Sequence, residues 1–431
     1  MQSAEHIVTE SGCVWLGGPV NYIYYDLRAP GEIAIMNLIR STLLIVLSVV
    51  IFLPAYAQDS ENPPVLKLDR VPSPPAFAGQ TRAPAAARST YNVEAVVDGL
   101  SVPWALAFLP DGAILVNEYV GNMRIIEADG KLSEPLAGLP EISHEGWAGL
   151  FDLTLDPDFA DNQLIYFSYT VATGNAESPN SPRVARARLN RDKGRIDDVE
   201  VLLEGIGQQE LHFAADGKLL VAGAGPANAT QDLSSHAGKI LRINPDGSIP
   251  DDNPWSSDSS VAPAIYTVGH RDVSGMATHP ETGEVWMTEH GPRGGDELNV
   301  VKPGGNYGWQ VISYGTNYDG TPVGNGNTTG DGMEQPRYFW RPSIAPSGLM
   351  FYTGDMFPEW RGNLFVTSLS GQHITRLVLD DDRVVGEERL LVDRGQRIRE
   401  LRQGPDGALY ALTNEEGDAP KGFAELLRIS K

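Results

Sequence analysis

A short phrase returns six times along this chain. Its clearest copies are Leu106-Ala-Phe-Leu-Pro-Asp-Gly-Ala-Ile-Leu-Val116, Leu211-His-Phe-Ala-Ala-Asp-Gly-Lys-Leu-Leu-Val221 and Leu401-Arg-Gln-Gly-Pro-Asp-Gly-Ala-Leu-Tyr-Ala411. Looser copies surround Asp156-Pro-Asp-Phe159, Pro280-Glu-Thr-Gly283 and Gly354-Asp-Met-Phe-Pro358. Each reads as strand, tight turn, strand. Proline presets φ, aspartate bonds to its own backbone, and glycine takes positive φ. The flanking apolar runs are short and lack helical spacing. Turn centres near 111, 157, 216, 282, 355 and 406 lie roughly 45 to 75 residues apart, which brackets the period of propeller blades with insertions. The predicted fold class is therefore all-β: a six-bladed β-propeller of four-stranded antiparallel blades around a central channel. Unrelated hairpins in β-sandwich domains are the competing arrangement.

The formal net charge is −23. So acidic a surface repels phosphate backbones and anionic lipid, which argues against nucleic acid as a partner. It is compatible with Ca²⁺ binding, and equally with solubility alone.

The N-terminal part reads as processing signals. Met36-Asn-Leu-Ile-Arg40 is a small basic start, Ser41 to Leu53 an apolar core, and Pro54-Ala-Tyr-Ala57 a cleavage pattern with small residues at −3 and −1. Residues 36–57 are predicted as a signal peptide and residues 1–35 as an extension upstream of the true start. The apolar run is short for a membrane span. The expected location is periplasmic or secreted, without a stable span in the mature form. The single cysteine, Cys13, lies in the upstream extension. A mature chain would then hold no thiol for catalysis, disulfides or metal binding. Residues 58–90, rich in Pro, Ala and Ser, are expected to be a disordered spacer, and residues 91–431 the propeller. The segment Ala424 to Ile429 is expected to pair with Val93 to Val97 and close the ring. The longest loop runs from Gly315 to Gly332.

Three polar clusters stand out. Glu289-His-Gly-Pro-Arg-Gly-Gly-Asp-Glu-Leu-Asn299 follows a strand and precedes Gly304-Gly-Asn-Tyr-Gly-Trp309. Its glycines let backbone carbonyls approach a ligand, and Asp296 and Glu297 offer hard oxygen ligands suited to Ca²⁺. Such polar residues also knit turns. Gly269-His-Arg-Asp272 follows a second strand. In Arg394-Gly-Gln-Arg-Ile-Arg399, Arg397 and Arg399 stand at i and i+2, which in a regular strand places both on one face. Two guanidiniums there suit a polycarboxylate held bidentately, or are solvated charges on a strand edge.

These segments, together with Leu139-Pro-Glu-Ile-Ser-His-Glu-Gly146 and Gly238-Lys-Ile-Leu-Arg-Ile-Asn244, resemble in order the soluble quinoprotein aldose sugar dehydrogenases, the glucose/sorbosone dehydrogenase family. The likeness covers nearly all of residues 91–431. It implies a propeller that holds pyrroloquinoline quinone (PQQ) and Ca²⁺ at one end of its channel and oxidises aldose sugars at C1 to lactones. By motif matching, the carbonyls of Gly291 and Pro292 would bind the cofactor calcium. Arg271, Arg397 and Arg399 would face the quinone's three carboxylates, with Asp272 and Trp147 beside it. Glu297 and Tyr307 match ligands of a second, structural calcium. Partners would be a sugar and an electron acceptor, and the protein a monomer or homodimer.

The chain also departs from that pattern. The family's base is a histidine in a turn of the form Asn-His-x-Gly-Gly-Arg. Here the turn reads Gly205-Ile-Gly-Gln-Gln-Glu210, with Ile206 at the histidine and Glu210 at the arginine. Trp147 replaces a glutamine, Asp272 an asparagine, and Ser370 stands near a lysine that some members carry. His144, His236, His270 and His290 are the remaining candidate bases by position. His290 is best placed, beside the calcium-type carbonyls, and His144 lies in the loop before Trp147. Besides a PQQ-dependent dehydrogenase, the sequence allows a calcium-binding propeller that takes a small ligand without oxidising it, and a Ca²⁺-dependent lactonase.

Overall fold

The computed structural model describes residues 74–431 except 145, 147, 176–178, 208 and 415–423. Cys13, the signal segment 36–57 and the extension 1–35 lie outside the described residues, as does Trp147. No helix among the described residues is long and apolar enough to cross a membrane.

All six repeated phrases form hairpins between the first and second strands of a sheet. The first strands are Pro103–Phe108, Leu150–Leu155, Gln209–Phe213, Val273–Thr278, Pro346–Phe351 and Arg397–Gln403. Each packs against the first strand of the sheet before and the sheet after, and the sixth returns to the first. The result is a closed ring of six blades around a channel. The turns work as their composition requires. The Asp111, Asp216 and Asp406 carboxylates accept main-chain N–H bonds from residues 113, 218 and 408 at 3.1, 3.0 and 3.1 Å. Gly112, Gly217 and Gly407 take φ of 87°, 75° and 80°, which β-carbon-bearing residues rarely adopt.

Five blades have four strands, and the first has three. After Asn122–Ile126 the chain makes a single bridge at Leu132 and then crosses to the second blade, where Ala137 bridges Arg195. Pro135 and Pro140 lie in this stretch, and proline brings no N–H to a sheet ladder. The sixth blade is completed as expected: Asn92–Leu100 pairs antiparallel with Ala424–Ser430, Val93 opposite Ile429 and Val97 opposite Leu426. This leaves no open radial edge.

Residues 74–90 differ from the sequence expectation of a disordered spacer. They lie as a strap along blades four and five. Gln80 is fully buried; its amide donates to the Pro336 carbonyl at 2.9 Å and its carbonyl accepts from Tyr314 at 3.1 Å. Ala85 bridges Glu387 in parallel. Ser89 donates to the Glu388 carboxylate and receives the Trp360 indole N–H at 2.8 Å. Low hydrophobicity predicted disorder here, but polar groups matched to unsatisfied blade atoms hold the strap in place. Truncating Gln80→Ala leaves buried partners unpaired, and should lower the unfolding free energy in denaturant titration by about 1–3 kcal/mol.

A candidate active site at the mouth of the channel

Every first strand begins at the same rim, and five of the six contain one extra residue near that end. The pairing slips between Pro103 and Ala105, Leu150 and Leu153, Val273 and Gly275, Pro346 and Gly348, and Ile398 and Glu400. Only Gln209–Phe213 keeps unbroken register. Such bulges re-aim side chains. Arg399 is itself the extra residue of its strand. The i, i+2 rule therefore does not carry across it, and the placement of Arg399 beside Arg397 is set by the bulge instead.

Three blades are stitched together at this rim. The ring Nε2 of His290 meets the Pro346 carbonyl at 2.5 Å, and Ser347 Oγ donates to the Ile398 carbonyl at 2.7 Å. Asp272 Oδ2 lies 3.6 Å from His290 Nδ1. Asp272 also acts electrostatically on Arg399, and so joins the arginines of the last blade to the 289–299 segment. Arg271 donates to the His290 carbonyl at 3.3 Å and to the Tyr318 hydroxyl at 3.4 Å, with its guanidinium 5.6 Å from the Trp309 ring centre. Tyr318 comes from the long 315–332 loop. Arg271, Asp272, His290, Gly291, Pro292, Arg397 and Arg399 thus gather at one mouth.

The Gly291–Gly295 turn is tight. A β-carbon at Gly291 would fall 2.2 Å from the Gly294 carbonyl oxygen, and one at Gly295 2.3 Å from the Gly315 nitrogen. Asp296, expected as a metal ligand, is instead the brace of this turn. Its fully buried carboxylate accepts N–H bonds from Gly291, Ile344 and Ala345 at 2.9, 2.7 and 2.9 Å, and the Ser343 hydroxyl at 2.7 Å. With both oxygens already accepting donors, it holds the Gly291 end of the turn.

A second cluster lies behind the Arg271 backbone. Glu289 accepts the Arg271 N–H at 3.0 Å, and the Asn299 amide reaches Glu289 at 3.4 Å and Glu297 at 3.2 Å. Burial, then the Glu289 charge, push the Glu297 carboxyl well above its ordinary range. His270 Nδ1 also lies 3.4 Å from Glu289, so Glu297, with the Asn299 amide as its one side-chain contact among the described residues, is the carboxylate that better fits a hard cation. The Tyr307 phenol is engaged elsewhere: it donates to the Val300 carbonyl at 2.6 Å and accepts the Lys302 N–H at 2.9 Å. Only its main chain is left for a metal. Among the described residues no three His, Cys, Asp or Glu side chains converge on one metal position.

The candidate bases separate clearly. His270 is fully buried, stacked on Tyr307 at 4.6 Å and bonded to Thr267 at 2.8 Å. His236 lies by Lys239, and burial holds its pKa low. Lys239 donates to the carbonyls of Ala229, Thr230 and Ala237 at 2.9, 2.9 and 2.8 Å and ties down that loop. His144 is exposed. His290 is the one whose own main chain takes a bond from Arg271, while its ring is tied to Pro346. Ile206, at the family's histidine position, is 1% exposed and packs with Tyr166, Val184 and Leu211 in the core of blades two and three.

Sequence reasoning missed what lies below the rim. Arg402 is surrounded by Asp152, Glu210 and Glu400, each from a first strand. Glu400 bonds Arg402 at 2.5 Å, and Asp152 accepts the Leu211 N–H at 2.7 Å. Burial raises the Glu400 carboxyl to about 7; burial and the neighbouring carboxylates push Glu210 up as well. The alternation of acid and base along Arg399-Glu-Leu-Arg402 was a signal, but only the ring shows that the strands of other blades add acids to it. The unfolded chain releases a glutamate proton near 4.3, whereas the folded chain keeps it to about 7. The folded state therefore binds more protons in that window, and stability falls as pH rises through it. Unfolding free energy should drop by on the order of 1–3 kcal/mol between pH 5 and 8, and Glu210→Gln should flatten the slope in denaturant titrations across that range.

A family model described as Glucose / Sorbosone dehydrogenase matches residues 100–427. The chain is 38% identical over 358 residues to aldose sugar dehydrogenase YliI of Escherichia coli K12, across 80% of this chain and 94% of that protein. The solved apo form of the soluble E. coli aldose sugar dehydrogenase superposes with a TM-score of 0.74 at 37% identity, covering 79% of this chain and 99% of that one. The PQQ-bound aldose sugar dehydrogenase of Streptomyces coelicolor gives 0.65 at 25% identity, over 80% and 100%.

Proposed function

The chain belongs to the glucose/sorbosone dehydrogenase family, and from that premise we propose that it is a quinoprotein that oxidises an aldose at C1 to the lactone, with PQQ and Ca²⁺ at the channel mouth. The observation that carries the reading is that Arg271, bonded to the His290 carbonyl beside the braced Gly291–Gly295 turn, and Arg399, within electrostatic reach of Asp272, come from different blades to one mouth. The site's chemistry fits the group. The Arg399 Nε is buried and, among the described residues, has no hydrogen-bond partner, while the nearby Arg397 charge adds to burial in pushing its pKa down to about 10. A polycarboxylate relieves both conditions. When bound, PQQ supplies the acceptor for hydride from the sugar carbon, and calcium polarises it.

In this reading the chain's residues position and move a proton. Arg271, Arg397 and Arg399 hold the carboxylates. Asp296 fixes the turn that presents the carbonyls. His290 is the base: its Nε2–H is committed to the Pro346 carbonyl, so Nδ1 takes the hydroxyl proton, and the Asp272 carboxylate faces the imidazolium formed. This replaces the histidine of the usual turn. The buried, apolar setting of Ile206 favours a second reading, a calcium-bound propeller that takes a polar ligand without oxidising it.

Calcium-loaded protein titrated with PQQ should gain quinone absorbance that survives gel filtration, and should then reduce an artificial acceptor when given aldoses. Arg271→Ala or Arg397→Ala should weaken uptake at least about tenfold, the scale of a lost charge-assisted pair. Calcium-dependent melting without quinone uptake would support the second reading instead. Asp272→Asn removes an anion beside an anionic cofactor. It should tighten PQQ binding yet slow turnover, because His290 loses its partner; kcat and PQQ affinity measured on one preparation separate the two effects.

A further inference from the structure

Among the described residues no carboxylate pairs with the Arg399 guanidinium. The guanidinium lies 3.8 Å over the ring of Trp104, which comes from the first strand of the first blade. Trp104 is the extra residue of its own strand, as Arg399 is of the sixth. The indole is fixed in turn. It stacks on Tyr119 at 5.4 Å and 23°, and meets Phe151 edge-on at 5.2 Å and 80°. Tyr119 and Phe151 also touch, at 5.7 Å. Gly149 permits this group, since a β-carbon there would lie 2.6 Å from the Tyr119 ring. Three blades' worth of bulges and one glycine therefore build an aromatic platform under a single cation.

We propose that Trp104 is a positioning residue: it fixes the plane of the Arg399 guanidinium before a ligand arrives, so that the fork meets a ligand carboxylate edge-on. For the ligand's identity this rests on the quinone reading; the geometry stands without it. A bidentate pair requires the fork and the carboxylate to share a plane. With the guanidinium carbon only 3.8 Å from the ring centre, a strongly tilted fork would drive a nitrogen into the indole, so the favoured plane is the one along the ring, with N–H donors turned outward past its edge. Ordering the side chain in advance removes that loss of freedom from the binding step.

Two measurements on the full chain test this. In PQQ titrations of calcium-loaded protein, Trp104→Leu should weaken binding about tenfold, as expected for a desolvated cation–π contact, and Trp104→Phe should stay close to wild type. In an Arg399→Ala background, Trp104→Leu should add almost nothing. Additive losses would overturn the proposal. The second measurement needs no cofactor: the rate of Arg399 modification by phenylglyoxal, followed by peptide mass spectrometry. It should rise several-fold in Trp104→Leu and remain unchanged in Trp104→Phe. Equal rates in wild type and Trp104→Leu would also overturn it. If Trp104→Leu fails to fold, Arg399→Lys takes its place, keeping the charge without the plane. It should bind as poorly as Arg399→Ala, and wild-type affinity would refute the claim. A wild-type protein that takes up no PQQ defeats the quinone reading, while the labelling still decides the role of Trp104.

Discussion

A regular strand turns alternate side chains to opposite faces, so a ring of regular strands would present its channel with a simple alternation. An extra residue breaks that parity at the point where it is inserted. In this propeller the insertion falls near the rim end of five first strands. Trp104, Asp152, Ser347 and Arg399 owe their directions to it. The third blade, whose first strand is unbulged, is also the blade whose preceding turn carries Ile206 in place of a histidine. There the chain invests the position in packing: Ile206 fills space that Gly223 leaves open, a β-carbon at 223 falling 2.2 Å from its methyl carbon. The backbone irregularity and the chemistry of the mouth are thus distributed together.

The electrostatics follow from the same ring. Each first strand contributes few charges, yet six of them face one narrow space. Arg402 meets acids from the second, third and sixth blades, whereas Arg399 meets an aromatic ring, the like charge of Arg397 and more distant anions. Below the rim the balance is acidic and internally shared. At the rim it is basic and open to an anion. One channel therefore holds an acidic floor and a basic mouth within a few residues of strand.

The fold was legible because its signal is local and repeated. Asp111-Gly112, Asp216-Gly217 and Asp406-Gly407 each encode the same turn, and turn chemistry does not depend on distant residues. Ring closure was legible from an orphan strand at each end. The mouth was legible where a motif stays together, as in Gly269 to Asp272 and Glu289 to Pro292. Three features were not. The strap at 74–90 has the composition of a spacer, and its partners lie some 250 or more residues away, as Gln80 and Pro336 show. Asp296 has the chemistry of a ligand, but besides Gly291 the donors that occupy it belong to residues 343–345. Trp104 reads as one more apolar strand residue until the sixth blade lays Arg399 on it. Long-range partners decide all three, and spacing along the chain carries no trace of them.

Closure by the two ends of the chain has a consequence for biosynthesis. Residues 92–100 leave the ribosome before any blade is complete, whereas their partner, 424–430, follows every other blade strand in the chain. A strand with one free edge must therefore wait through the synthesis of every blade. Glu94 and Asp98 on that strand discourage its capture by a neighbouring chain, as charges on edge strands do. The ring therefore locks only after strands of all six blades have been made, and a chain interrupted before residue 424 is left an open arc rather than a smaller propeller.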